Sequence, residues 1–195
     1  MDKVKLLIQG YARQKENGRW DATSATVLVK SAGKFVLIDP GVNPLLLKTT
    51  LNKEKLCLDE IDIVVITHSH YDHTRNRRLF NESQNLNLSD VFHPREPSQE
   101  HELIPDTNIE IRITPGHVDK HASFLVDTLS GKYAIAGDVF WWEDGEEQKT
   151  DIQSLIEHKD RLAKNDDLLR KSRMDLINIA DIIIPGHGRE FTVLR

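Results

Sequence analysis

The sequence predicts an α/β protein made of two similar β-rich halves, and three observations predict it. The first is the run Ile61-Asp62-Ile63-Val64-Val65-Ile66, whose β-branched continuity reads as a strand buried on both faces. The second is a pair of look-alike hairpins. Residues 24–30 and 34–38 alternate around Ser31-Ala32-Gly33 and end at Asp39, and residues 123–128 and 132–136 alternate around Leu129-Ser130-Gly131 and end at Asp138. The third is helical periodicity over residues 43–52 and, broken near Asn165, over residues 151–180.

In chain order, residues 4–9 read as a first strand stopped by Gly10, and residues 13–22 as a polar loop beside any site. Asp39-Pro40-Gly41 is a turn that ends the first hairpin. Leu45, Leu46, Leu47 and Leu51 make residues 43–52 an amphipathic helix. Residues 74–80 read as helical, with Arg75, Arg77 and Arg78 on a solvated face or, alternatively, as an anion contact. Residues 81–108 hold a weak strand around Val91-Phe92 and two histidines, His93 and His101, that read as surface residues. Phe140-Trp141-Trp142 opens an acidic loop, with pocket lining and core packing left open for the aromatic cluster. A last strand, residues 181–184, runs into Pro185-Gly186-His187-Gly188.

The chemistry concentrates where strands end. Thr67-His68-Ser69-His70-Tyr71-Asp72-His73 delivers four metal-competent side chains directly behind the buried run. His68 and His70, two apart, point the same way in extended chain and can hold one cation. Asp72 and His73 fall where the chain turns out, so they can face a second. A polar loop that merely happens to contain histidine is the alternative. Three further strand ends argue against it: Thr114-Pro115-Gly116-His117, Gly137-Asp138 and Pro185-Gly186-His187. Asp39 reads as an acceptor holding the metal loop rather than a surface turn residue. His121 reads as a brace rather than an oxyanion contact, Tyr71 as a packing residue with pocket lining as the alternative, and His158 as surface.

Composition narrows the function classes. At 195 residues a single domain spanning residues 1–195 is expected, large enough to need no staples. A net charge of −5 supplies no whole-protein field for nucleic acid or an anionic membrane. The lone Cys57 excludes an internal disulfide and a cysteine-based zinc cluster, and reads as a small buried hydrophobe. Met1-Asp2-Lys3 leads straight into a strand pattern and no run approaches the ~20 apolar residues of a membrane span, so the expectation is a cytoplasmic protein.

Strand ends reading H-x-H-x-D-H, T-P-G-H, G-D and P-G-H-G in that order resemble the metallo-β-lactamase-fold hydrolase superfamily, over essentially the whole chain. The resemblance implies a four-layer αββα sandwich, two mixed sheets with helices outside and metals at one edge. It implies that His68, His70 and His117 hold a first metal, that Asp72, His73 and His187 hold a second, and that Asp138 bridges them. Finer likenesses point to the metallo-β-lactamase domain-containing protein 1 group of small members. They include Leu7-Ile8-Gln9-Gly10-Tyr11-Ala12, Ala136-Gly137-Asp138-Val139-Phe140, Ser172-Arg173 and Phe191-Thr192-Val193-Leu194. Arg75 departs from the family, which usually has glycine there, and puts a bulky cation near the site's mouth.

The implied activity is hydrolysis by a hydroxide bridging two Zn²⁺, with iron or manganese as alternatives, and with Asp72 as the catalytic residue that orients it and shuttles its proton. A small ester, thioester or lactone is the expected substrate. Phosphodiester or RNA cleavage is the alternative, which would give the arginines and a nucleic-acid partner a purpose; a mononuclear iron sulfur dioxygenase ranks third. True β-lactamases of this fold usually lack an aspartate at the position of Asp138, so antibiotic hydrolysis is not expected.

Overall fold

The computed structural model describes residues 1–86 and 102–194. Strands β1 (Lys3–Ile8), β4 (Thr26–Ser31), β5 (Lys34–Ile38) and β6 (Ile63–Val65) form one sheet in the order β1-β4-β5-β6. Strands β2 (Tyr11–Gln14) and β3 (Trp20–Thr23) form a separate hairpin. The second sheet runs β12-β11-β10-β9-β8-β7, from β7 (Glu102–Leu103), β8 (Glu110–Ile113), β9 (Ala122–Thr128), β10 (Gly131–Trp141), β11 (Ile182–His187) and β12 (Phe191–Thr192). Both sheets are mixed: β5 pairs β6 in parallel and β10 pairs β11 in parallel, while their other pairs are antiparallel.

The period-2 alternation of these strands sorts their side chains into three apolar layers. Val27, Val29, Val36, Ile38 and Val65 of the first sheet meet Ile111, Phe124, Val126, Ile135 and Ile184 of the second in a central core. Their sequence neighbours Leu28, Leu37 and Val64 face outward against Leu47 and Leu51 of helix α1 (Pro44–Lys53). On the far side, Leu125, Ala134, Ala136 and Ile183 face outward against two helices. A short helix, α2 (Tyr71–Thr74), lies between β6 and β7 in the chain; the two outer helices are α3 (Ile152–Glu157), which supplies Leu155, and α4 (Asp166–Ile179), which supplies Leu169, Leu176 and Ile177. The result is helix, sheet, sheet, helix, as expected. Each fully buried aliphatic side chain in these layers contributes about 1.5–3 kcal/mol relative to exposure.

Local chemistry sets the helix starts. Asn43 caps α1, accepting from Leu45 N–H (3.1 Å) and Leu46 N–H (3.0 Å) ahead of Pro44. Asn165 caps α4 through Leu168 N–H (3.0 Å), with Asp166 and Asp167 in the favourable first turn.

Several expectations are corrected. Residues 13–22 are not a loop: they carry most of the β2–β3 hairpin, closed by a turn with Gly18 at φ +76°. Its alternation was hidden because its outer positions are polar and exposed. On α1 only Leu47 and Leu51 are buried, since Leu45 and Leu46 precede the face that meets the sheet. Cys57 is exposed, because Leu56 and Ile61 on either side take the buried positions. Residues 75–79 form a 3-10 turn after α2 rather than a continuous α-helix. Strand β10 runs on to Trp141, so the aromatic cluster alternates instead of forming a loop. His93, His101 and the Val91-Phe92 strand lie outside the described residues. Among the described residues, no helix is long and apolar enough to cross a membrane.

Candidate metal centre

The site lies where the ends of both sheets meet. Past β6 the chain leaves Thr67 and His68 buried, then turns into α2, which presents Asp72 and buried His73. From the other sheet come His117 in the loop after β8, Asp138 within β10 and His187 at the end of β11. Asp138 reaches the site because β10 bulges at Gly137, which takes φ +53°.

Seven side chains fall into two sets, each with its donor atoms within 4.8 Å of one another: His68, His70, His117 and Asp138, and Asp72, His73 and His187. Asp138 spans both. Its Oδ2 lies 3.6 Å from His68 Nε2 and 3.3 Å from His117 Nε2, while Oδ1 lies 3.2 Å from His73 Nε2 and 3.5 Å from His187 Nε2. Asp72 Oδ2 is 3.2 Å from His187 Nε2.

The surrounding hydrogen bonds fix which ring nitrogen faces inward. Asp39 is buried at φ +49° and accepts from Thr67 N–H (2.7 Å), the Thr67 hydroxyl (2.8 Å) and His73 Nδ1–H (2.8 Å). With its hydroxyl proton given to Asp39, Thr67 accepts from His68 Nδ1–H (3.0 Å). His117 Nδ1–H donates to buried Asp160 (2.7 Å), and His187 Nδ1–H is shared by the carbonyls of Tyr11 (3.0 Å) and Thr23 (3.1 Å). Four imidazoles are therefore held with Nδ1–H outward and the Nε2 lone pair inward, the arrangement a metal requires. His70 instead turns its Nδ1 inward, 3.2 Å from His117 Nε2. Within the cluster, His68 Nε2, His73 Nε2 and Asp138 Oδ1 are buried without a hydrogen-bond partner. Orphaned acceptors converging on one point fit a pair of cations and little else.

His121 shows the contrast. Its Nε2 accepts from Asp138 N–H (3.2 Å), so its Nδ1–H donates to Thr114 Oγ1 (2.9 Å), which continues to Ser123 Oγ (2.9 Å) and the Ala136 carbonyl (3.1 Å). Both nitrogens are spent; His121 is a brace.

Charge follows burial and neighbours. Burial pushes His121 down to about 3 and His68 well below the ordinary imidazole value. Burial also lowers His70. For His73 burial works downward but is outweighed by Asp138 and Asp39, which hold it well above normal; for His117, Asp160 and Asp138 do the same more weakly. Asp138 is opposed by burial yet kept well below the usual carboxylate range by His73 and His187. Asp72, likewise opposed by burial, is lowered by His187.

The structure brings all seven expected cluster residues together and puts Asp39 and His121 in bracing positions. Tyr71 does not pack: it lines the cleft rim, the alternative reading, and is exposed there with the Arg75 guanidinium 5.5 Å over its ring. Arg77 donates to Asn85 Oδ1 (3.0 Å) and the Leu86 carbonyl (3.1 Å), which ties it to structure. Trp141 faces the site, 6.3 Å from His187, while Phe140 and Trp142 pack in the outer core. His158 is half-buried rather than surface, paired with the Trp141 carbonyl (2.8 Å). Asp160 was missed; it sits in a charge-rich stretch where nothing local separates it from solvated neighbours. The loop before His117 is seated on α4: Ser172 Oγ donates to the Pro115 carbonyl (2.7 Å), and a Cβ on Gly116 would strike Leu169. The last donor is stitched to the chain's start, with Ala25 N–H on the Gly186 carbonyl (2.7 Å) and Gly188 N–H on the Gly10 carbonyl (3.1 Å).

Residues 18–80 match the family model described as the Metallo-beta-lactamase superfamily. The Xenopus laevis protein named metallo-beta-lactamase domain-containing protein 1 is 29% identical over 204 residues, covering 98% of this chain and 82% of that one. A candidate metallo-beta-lactamase from Thermotoga maritima superposes with TM-score 0.70 at 20% identity, over 98% of this chain and 99% of that one. AidC, a dizinc quorum-quenching lactonase, superposes with TM-score 0.58 at 13% identity, over 86% and 74%. Motif order and αββα layering agree with these likenesses: residues 18–80 match the Metallo-beta-lactamase superfamily model, and the chain as a whole is similar to proteins of that fold.

Proposed function

We propose that the protein is a dinuclear metal-dependent hydrolase, zinc-loaded, that cleaves a small ester, thioester or lactone. One observation carries the reading: the two oxygens of Asp138 face two different histidine sets, each with one buried inward nitrogen, His68 Nε2 in one and His73 Nε2 in the other, that has no hydrogen-bond partner. His68, His70 and His117 would hold one cation, Asp72, His73 and His187 the other, with Asp138 between them. Bound there, the pair would supply an activated water and polarise the substrate carbonyl. The likeness to a dizinc lactonase supports zinc and carbonyl chemistry.

The chain's own contribution is positioning and proton transfer. Asp39, Asp160 and the backbone carbonyls of Tyr11 and Thr23 hold Nδ1–H of the imidazoles outward and aim Nε2 at the site. Asp72 is the half-buried carboxylate that also lines the open cleft, and its low pKa keeps it a base. It takes the proton of the attacking water as the O–C bond forms, then returns it to the oxygen or sulfur that departs as the old bond breaks. Phosphodiester cleavage gains no support from Arg77, whose Nε and Nη2 are engaged by Asn85 and Leu86.

Elemental analysis of the purified protein, paired with turnover of a thioester and of bis-p-nitrophenyl phosphate, tests this. Two equivalents of zinc and thioester turnover abolished by chelation are expected. One iron and no hydrolysis would overturn it.

A further inference from the structure

The cleft above the metal centre has two unlike walls. One is formed by His70, Asp72, Asp138 and His187; the other by Ala12, Trp20, Ala22, Tyr71, Trp141 and Leu162, with no charged side chain among them. Its volume is about 220 Å³, part of which bound cations would fill. That is below the ~300–1,000 Å³ of sites that enclose a drug-sized ligand.

The apolar wall is fixed. Trp20 and Trp141 meet edge to face, ring centroids 6.1 Å apart and planes at 75°. The Arg161 guanidinium lies 4.7 Å over the Trp20 ring and pairs with Glu143. The β2–β3 hairpin is tied down by Asp144 N–H on the Ala12 carbonyl (2.7 Å) and by an Arg13–Asp144 ion pair (3.0 Å). Trp20 nonetheless remains 37% exposed, leaving part of its surface for contact with a ligand. The cations nearby stand outside this wall: Arg161 lies over Trp20, and exposed Arg75 lies over Tyr71.

We propose that Trp20, Trp141 and Leu162 form an acyl-group subsite, so that the substrate carries a compact, neutral aryl or branched apolar group next to the scissile carbonyl. This rests on the hydrolase reading above and sharpens it. A charged acyl group would lose its hydration against these side chains, with no counter-ion in return among the described residues of the wall. A long linear chain would outrun the cleft and pass into solvent beyond Trp20.

The test uses zinc-loaded protein and thioesters of one leaving thiol, N-acetylcysteamine, with acetyl, phenylacetyl, succinyl or decanoyl on the acyl side. Phenylacetyl should exceed acetyl by ~100-fold in kcat/KM, the discrimination a well-filled apolar pocket gives, and should exceed succinyl and decanoyl as well. Trp20→Ala should lower the phenylacetyl-to-acetyl ratio ~10-fold, mostly through KM, while Trp20→Phe restores most of it. Equal rates for phenylacetyl and acetyl, a preference for decanoyl or succinyl, or an unchanged ratio in Trp20→Ala would overturn the subsite while leaving the hydrolase intact. The acyl series on the unmodified protein decides the matter even if Trp20→Ala does not fold. No turnover of any thioester, nor of the matching phenylacetyl and acetyl oxygen esters, with zinc bound would overturn the hydrolase reading itself, and the subsite with it.

Discussion

The two halves of the molecule are alike at one end of their sheets and unlike at the other. In the first half, Asp62 precedes β6, gives its N–H to the Phe35 carbonyl (2.9 Å) and accepts Phe35 N–H on its carboxylate (2.8 Å). In the second, Asp181 precedes β11 and does the same with Lys132, at 2.8 and 2.9 Å. Each pair brackets a parallel strand onto its hairpin. At the opposite end the matching hairpins finish in Asp39 and Asp138, and there the likeness stops. Asp39 takes the left-handed conformation itself and spends both oxygens on Thr67 and His73. In the second hairpin Gly137 takes that conformation, Asp138 follows it, and Oδ1 has no hydrogen-bond partner. Two equivalent carboxylates have thus become a brace and a bridge. What separates them is one residue of offset and whether their acceptors are filled.

The largest expected effect comes from breaking the bridge. Asp138→Ala should cost one of the two bound cations and lower kcat/KM by more than the ~100-fold reached by changes to outer partners; metal analysis and steady-state kinetics on the same sample measure both. Breaking the brace should do less. Asp39→Asn keeps the shape but loses the charge under Thr67 and His73, and metal affinity, read by chelator competition, should fall ~10- to 100-fold. If Asp39→Asn matched Asp138→Ala, the distinction between brace and bridge would fail. The offset itself is tested by Gly137→Ala. Its new Cβ would sit 2.7 Å from the Thr67 side chain at φ +53°, and denaturant unfolding should show a loss of about 1–3 kcal/mol. The smallest effect concerns the shared bracket. The Phe35 N–H, and secondarily Lys34, hold the Asp62 carboxyl below its usual value of 3.8. A depressed folded pKa adds stability that is present above the unfolded value and lost as pH falls through the folded one. Asp62→Asn should therefore flatten the acid limb of the stability profile below about pH 4, and leave stability near neutrality lower than the parent's by a small margin, because the group is partly exposed.

Much of this was legible in the sequence for physical reasons. Strand ends must expose backbone and side chains to a common edge, so His68, His117, Asp138 and His187 announce themselves as polar residues that follow apolar runs. Asp39 was legible as the end of a strand whose partner hairpin ends alike. Asp160 was not, because its role depends on a turn between α3 and α4 that folds back under His117. Nor was the division of labour between Trp141 and Trp142. It follows from β10 continuing through a glycine bulge, which keeps alternation running where composition suggested a loop. The β2–β3 hairpin escaped notice because its alternation is written in charged and small residues, yet it supplies Trp20 and the carbonyls that aim His187.

The seam that joins Gly10 and Ala25 to Gly186 and Gly188 has a consequence for how the protein is made. On the ribosome, the other six cluster residues all emerge before His187, yet the carbonyls that orient His187, those of Tyr11 and Thr23, are made before any of the seven. The set of His68, His70, His117 and Asp138 is thus translated well ahead of the set that needs His187. The order of synthesis gives one cation a binding set before the other.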